Sequence, residues 1–192
     1  RERAPDALAL EVPNLSVPLF EQHAADDSEP PADGGEMSAA IQAAATDHVV
    51  DVDGPAVDFA VGLGRRLLAE RASIATTRAV AGRFLDVTGT AVSCWAAGTL
   101  PVPTTNRAEL DDPVDYDCSW RDTPHEQAAD ERRHLRRARS ILDSFDPPQA
   151  ARVRTATREA FMADQLATLA GEGNVVAVVG DAHLDPVSDR LA

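Results

Sequence analysis

Short apolar runs that stop abruptly in acids or histidine recur along this chain, and they set the pattern for everything else. The clearest is Asn174 to Pro186, Asn-Val-Val-Ala-Val-Val-Gly-Asp-Ala-His-Leu-Asp-Pro, in which five consecutive apolar residues end at Gly180. Such a run, rich in β-branched residues and flanked by turn formers, predicts a strand buried on both faces. Asp6 to Val12, with Glu11 near its end, and His48 to Asp53, ending in Asp51 and Asp53, repeat the pattern. In open α/β sheets ligands bind beyond the carboxyl ends of the strands. If the three strands lie parallel, Glu11, Asp51, Asp53, Asp181 and His183 converge on one edge, although each acid alone also suits a helix cap or turn.

Between the strands the apolar spacing is helical. Leu15 to Gln22 predicts a turn or two, and Asp26 to Gly35 is a polar, Pro/Gly-rich loop read as a linker or flap with no capacity to pack. Met37, Ala40, Ile41 and Ala44 make one helical face. Val57, Ala60, Val61, Gly64, Leu67 and Leu68 make a second, and a further helical stretch runs from about Ala72 to Trp95. Residues 98–124 are irregular, with Pro101, Pro103 and Pro113 and the acids Asp111, Asp112, Asp115 and Asp117. The acids lack the spacing of a calcium loop, and a solvated surface is the favoured reading.

Glu126 to Phe145 predicts an amphipathic helix with Leu135, Ala138, Ile141, Leu142 and Phe145 inward and five arginines (132, 133, 136, 137 and 139) elsewhere. Asp146-Pro147-Pro148-Gln149 reads as a helix start with Asp146 as N-cap, and that helix is expected to end at Gly171. Along it Arg158 stands one turn before Met162, Leu166 and Leu169 on one stripe, so its guanidinium either snorkels to solvent or reaches an anion near the sheet edge.

The expected fold is therefore α/β: a mostly parallel central sheet covered by helices, with an additional helical section mid-chain, in one domain over residues 1–192. Charge then narrows the partners. The 192 residues carry 32 acids against 18 bases, a net charge of −14, and every base is arginine. That balance opposes nucleic acid and anionic membranes, and it points to a salt-loving organism. Cys94 and Cys118 form no ligand spacing and suggest a reducing compartment and nothing more. No run approaches the roughly 20 apolar residues of a membrane span.

Several of these segments together carry a family resemblance. Thr157-Arg158-Glu159-Ala160-Phe161-Met162-Ala163, followed by Leu166 and by Val175 to His183, resembles the C-terminal pattern of the TraB/PrgY/GumN family. Gly180-Asp181-Ala182-His183 fits its Gly-x-x-His motif, and Pro5 to Glu11 resembles its strand carrying a functional Glu. Gly35 to Ile41 resembles the family's next helix, and Asp51-Val52-Asp53 stands where many members have Asp-Arg-Asp. The Arg of that last motif is Val52 here, and no Gly follows His183 by three.

The resemblance implies a fold shared with TIKI, erythromycin-esterase-like and ChaN-like proteins, of a haloarchaeal type. The family's first strand, bearing another Gly-x-x-His, would precede Arg1, so a strand-width gap beside Asp6 to Val12 or Asn174 to Val179 is expected. It further implies a metal-dependent hydrolase acting on a peptide or small molecule, with Glu11, His183 and Arg158 catalytic and a divalent metal ion on His183, Glu11, Asp51 and Asp53. The alternative is a non-catalytic peptide- or partner-binding regulatory domain, in the cytoplasm or beside a membrane partner. Direct pairing of the two strands flanking the expected gap favours that alternative.

Overall fold

The computed structural model describes residues 4–13, 15–54, 56–99, 117–119, 121–142 and 146–192. The chain divides into two compact units, Arg1–Val102 with Pro148–Ala192, and Pro103–Pro147.

The first unit is α/β. Its three strands, β1 (Ala7–Pro13), β2 (Val49–Asp53) and β3 (Val175–Val178), form one parallel sheet in the order β2-β1-β3. β1 takes the centre because it is apolar on both faces: Ala7, Leu8, Ala9, Leu10 and Val12 are all buried. Alternation along β1 then sorts the layers. Leu8, Leu10 and Val12 pack against α1 (Val17–Ala24) and α2 (Gly35–Ala43) through Phe20, Met37, Ala40 and Ile41. Ala9, with Val52 of β2, packs instead against α6 (Gln149–Glu172) and α7 (Asp181–Leu191) through Met162, Ala163, Leu166 and Val187. Helices thus cover both faces, and successive strands are laid down on opposite sides of β1.

β3 differs from expectation. Among the described residues it is an edge strand, paired only with β1, and Val176 on it is 46% exposed. A continuous apolar run marks a strand, but which strand gains two neighbours is decided by the whole topology. The expected gap is also absent between these strands: Ala7 to Leu10 pair directly with Val175 to Val178.

α3 (Val57–Ala69) and α4 (Ile74–Thr99) complete this unit by packing on α6. The inward face of α3 is not the one the sequence suggested. Phe59 and Leu63 are buried with Val80 and Val153, whereas Val57 is 79% and Leu68 81% exposed. One large ring outweighs several small apolar residues, and Phe59 stacks on Phe84 at 6.1 Å and meets Phe161 edge-on at 5.9 Å. α4 starts at a serine cap, the Thr76 N–H donating to Ser73 Oγ at 3.0 Å. Near its far end Gly98 lies against α1, where a Cβ would fall 2.6 Å from the Leu19 amide nitrogen, so only glycine allows that approach.

Two further expectations change. α6 begins after Pro148 with no side-chain cap, because a residue preceding proline is kept out of helical geometry and Pro147-Pro148 delays the start. The loop 26–35 does pack: Pro31 is buried, and the Asp26 carboxylate accepts from Ser28 Oγ at 2.7 Å and the Ala32 N–H at 3.2 Å.

In the second unit α5 runs Pro124–Leu142 and opens with a reciprocal capping box. The Thr123 N–H donates to Glu126 Oε2 at 2.9 Å, and the Glu126 N–H donates to Thr123 Oγ1 at 3.3 Å. Asp130 accepts from the Asp117 and Cys118 amides and pairs with Arg133 at 3.0 Å, so part of the arginine patch is neutralised internally. Asp111, Asp112, Asp115 and Phe145, and the side chains of Ala138, Arg139, Ile141 and Leu142, lie outside the described residues. Cys94 and Cys118 are free thiols. No helix among the described residues is long and apolar enough to cross a membrane.

Candidate functional site

At the carboxyl end of the sheet, on the face covered by α6, four of the residues singled out from the sequence meet. Glu11 leaves β1 near its end and Asp53 closes β2, where the β1–β2 register shifts between Leu10 and Pro13. Arg158 reaches them from α6. Its Nε donates to Asp53 Oδ1 at 2.9 Å and its Nη2 to Asp53 Oδ2 at 2.7 Å, a fork-on-fork pair. The same Nη2 donates to Glu11 Oε1 at 2.8 Å. The guanidinium therefore does not snorkel; it locks the ends of two adjacent strands to the helix that covers them. Burial works against its charge, but the hydrogen bonds and charges of Asp53 and Glu11 outweigh that and raise its pKa.

The remaining Glu11 oxygen, Oε2, accepts the Gly180 N–H at 2.6 Å. That bond fixes the turn leaving β3, and Gly180 suits it because an added Cβ would stand 3.2 Å from the carboxylate. The turn leads directly into α7, which Asp181 opens as an acid in the first turn, and it places His183 in that same turn. The His183 Nε2 lies 3.6 Å from Glu11 Oε1, and its Nδ1 lies 3.4 Å from Glu159 Oε1.

Glu159 belongs to this cluster although the sequence reading assigned it no role. Its signal was there: it stands three and four residues before Met162 and Ala163 on the buried side of α6, and an acid in that stripe needs a partner. Asp51 does not join the cluster. It is in register with Leu10, which faces α1 and α2, so alternation carries its side chain to the opposite face from α6. Burial, with the charge of Asp53 adding to it, pushes the Asp51 carboxyl above its usual range.

The donor set suits a guanidinium better than a divalent ion. A metal needs several deprotonated ligands with free lone pairs converging on one point. Both oxygens of Glu11 and both of Asp53 are already accepting hydrogen bonds, and Asp51 is on the other face. Among the described residues no group of three or more His, Cys, Asp and Glu side chains is arranged to hold a metal.

Next to the cluster, and sharing Asp53 and Arg158 as wall, opens a cavity of about 420 Å³ between α3, α4 and α6. Its floor is Phe59, Leu63, Val80 and Phe84, and Arg83 and Arg154 stand at its lining. No protein-family model, no curated protein and no solved structure matches this chain.

Proposed function

We propose that the carboxyl edge of the sheet is a binding site for a peptide, and that the chain is a non-catalytic, TraB-like peptide- or partner-binding domain. The observation that carries this reading is the state of Arg158. Its charge is met by Asp53 and Glu11, and Glu11 is in turn held by Gly180, so the strongest charges of the cluster serve to shape the edge. A water-activating base needs a free lone pair aimed at the water, and Glu11 has its oxygens committed. The direct pairing of β1 with β3 points the same way. The resemblance of Thr157 to Ala163 and Gly180 to His183 to the TraB/PrgY/GumN pattern supports the family assignment within this proposal. A cytoplasmic setting accords with the free thiols, and the net charge of −14 disfavours nucleic acid as partner.

A hydrolase acting on peptides is the second reading, and one feature favours it. His183 stands between Glu159 and Glu11, and a carboxylate on one ring nitrogen is the arrangement that orients an imidazole for proton transfer.

One experiment separates the two. Peptide mixtures are incubated with the protein in molar salt, with and without added zinc, manganese or magnesium. Binding is read from shifts of the Gly180 amide and the His183 ring by NMR, and cleavage by mass spectrometry. Binding with intact peptides is the expected result. Cleavage that disappears in both Glu11→Gln and His183→Ala would establish the hydrolase instead, and metal-stimulated cleavage would assign it a metal.

A further inference from the structure

We propose that the cavity between α3, α4 and α6 holds the C-terminal residue of the bound peptide, with an aromatic or branched apolar side chain on its floor and the terminal carboxylate on Arg154. This rests on the reading of the sheet edge as a peptide site and names which end of the peptide that site takes.

Three features of the cavity define the ligand. The floor is apolar and partly aromatic: Phe59 and Phe84 stack on one another and pack with Leu63 and Val80. A volume of about 420 Å³ lies in the range of small-ligand pockets, so it suits one residue and its backbone rather than a folded partner. The polar lining is cationic in excess. Arg158 and Asp53 neutralise each other, leaving Arg83, Arg154 and Asp86.

The two arginines differ. Arg83 is paired with Asp86 at 3.7 Å, both side chains about two-thirds exposed, a contact weak enough to leave Arg83 as an auxiliary charge. Arg154 is half-buried one helical turn before Arg158, and among the described residues no carboxylate stands within ion-pair distance of it. A half-buried arginine lining an apolar, partly aromatic cavity matches a planar carboxylate joined to an apolar side chain. The residues before the C-terminal one would then run along Arg158 toward Glu11 and His183, which is where the proposed peptide site lies.

The test uses the full chain and three probe peptides: acetyl-Gly-Gly-Phe as the free acid, the same peptide as its C-terminal amide, and acetyl-Gly-Gly-Asp as the free acid. Calorimetric titration should show the Phe acid binding about tenfold or more tighter than either of the others, as loss of one charge-assisted pair implies. Arg154→Gln should bring the Phe acid down to the affinity of the amide, while Arg154→Lys should keep part of the preference. Thermal melts verify that each variant is folded. Equal affinity for acid and amide, or an undiminished preference in Arg154→Gln, would overturn the assignment. If longer peptides shift the Gly180 and His183 resonances but none of the three probes binds, the cavity assignment falls and the peptide site stands. If nothing binds anywhere, both fall.

Discussion

Replacing Arg158 with Met keeps most of the stem that crosses the helix and removes the guanidinium, leaving Glu11 and Asp53 to face each other without a cation. Removing one partner from a fully buried ion pair costs about 3–5 kcal/mol, because the remaining charge stays desolvated. Here the Arg158 side chain is 27% exposed and the two carboxylates 11% each, so water offsets part of that cost. We expect a loss of about 2–4 kcal/mol, a large share of the 5–15 kcal/mol typical of a domain, and a melting temperature lowered by about 5–10 °C. The assay is urea unfolding at fixed molar salt, so that the added net negative charge does not confound the comparison.

One control makes the number interpretable. The triple variant Arg158→Met, Glu11→Gln, Asp53→Asn should recover most of the loss, since no charge is stranded and the new amide oxygen can still accept the Gly180 N–H. A deficit below about 0.5 kcal/mol, or one unchanged by the triple substitution, would show that Arg158 is not what holds the strand ends together.

Two other outcomes follow from the charges. Asp51→Asn should stabilise the protein at neutral pH and not in acid. Burial and then Asp53 raise the Asp51 pKa, so the native state holds its proton more tightly, and stability present below the unfolded value is lost as pH rises through the folded one. A variant less stable than the parent in neutral thermal melts would contradict this. With 32 acids against 18 bases, melts should also rise from about 0.01 M to molar salt, and a flat profile would mean the acids are already paired internally.

What the sequence revealed depended on how local each signal was. The strand runs and the faces of α2 and α6 were readable because a few large apolar residues repeat at an unambiguous period. Arg158 stood out for the same reason, as a cation one turn before Met162, Leu166 and Leu169. α3 misled because Val57, Val61 and Leu68 outnumber Phe59 and Leu63, although ring size and neighbours decide which side is buried. The Thr123-Pro-His-Glu126 box was written in the chain and marks the true start of α5, whereas Asp146 imitated a cap that Pro148 prevents. The edge position of β3 and the turning away of Asp51 depend on pairings between distant segments, which no local pattern contains. Arg154 was invisible for a related reason: its significance comes from α3 and α4, whose rings build the floor beside it.

The Arg158 junction also has a temporal side. Its bonds join residues 105 and 147 positions apart, and the Gly180 to Glu11 bond spans 169. Contacts of that separation form only once the intervening chain has been gathered, so they come late in folding. During synthesis Glu11 and Asp53 emerge well before α6 and the β3 turn that supply their partners. The junction is therefore complete only once Gly180 is in place, so a nascent or truncated chain lacking β3 leaves one Glu11 oxygen without the amide that fixes it.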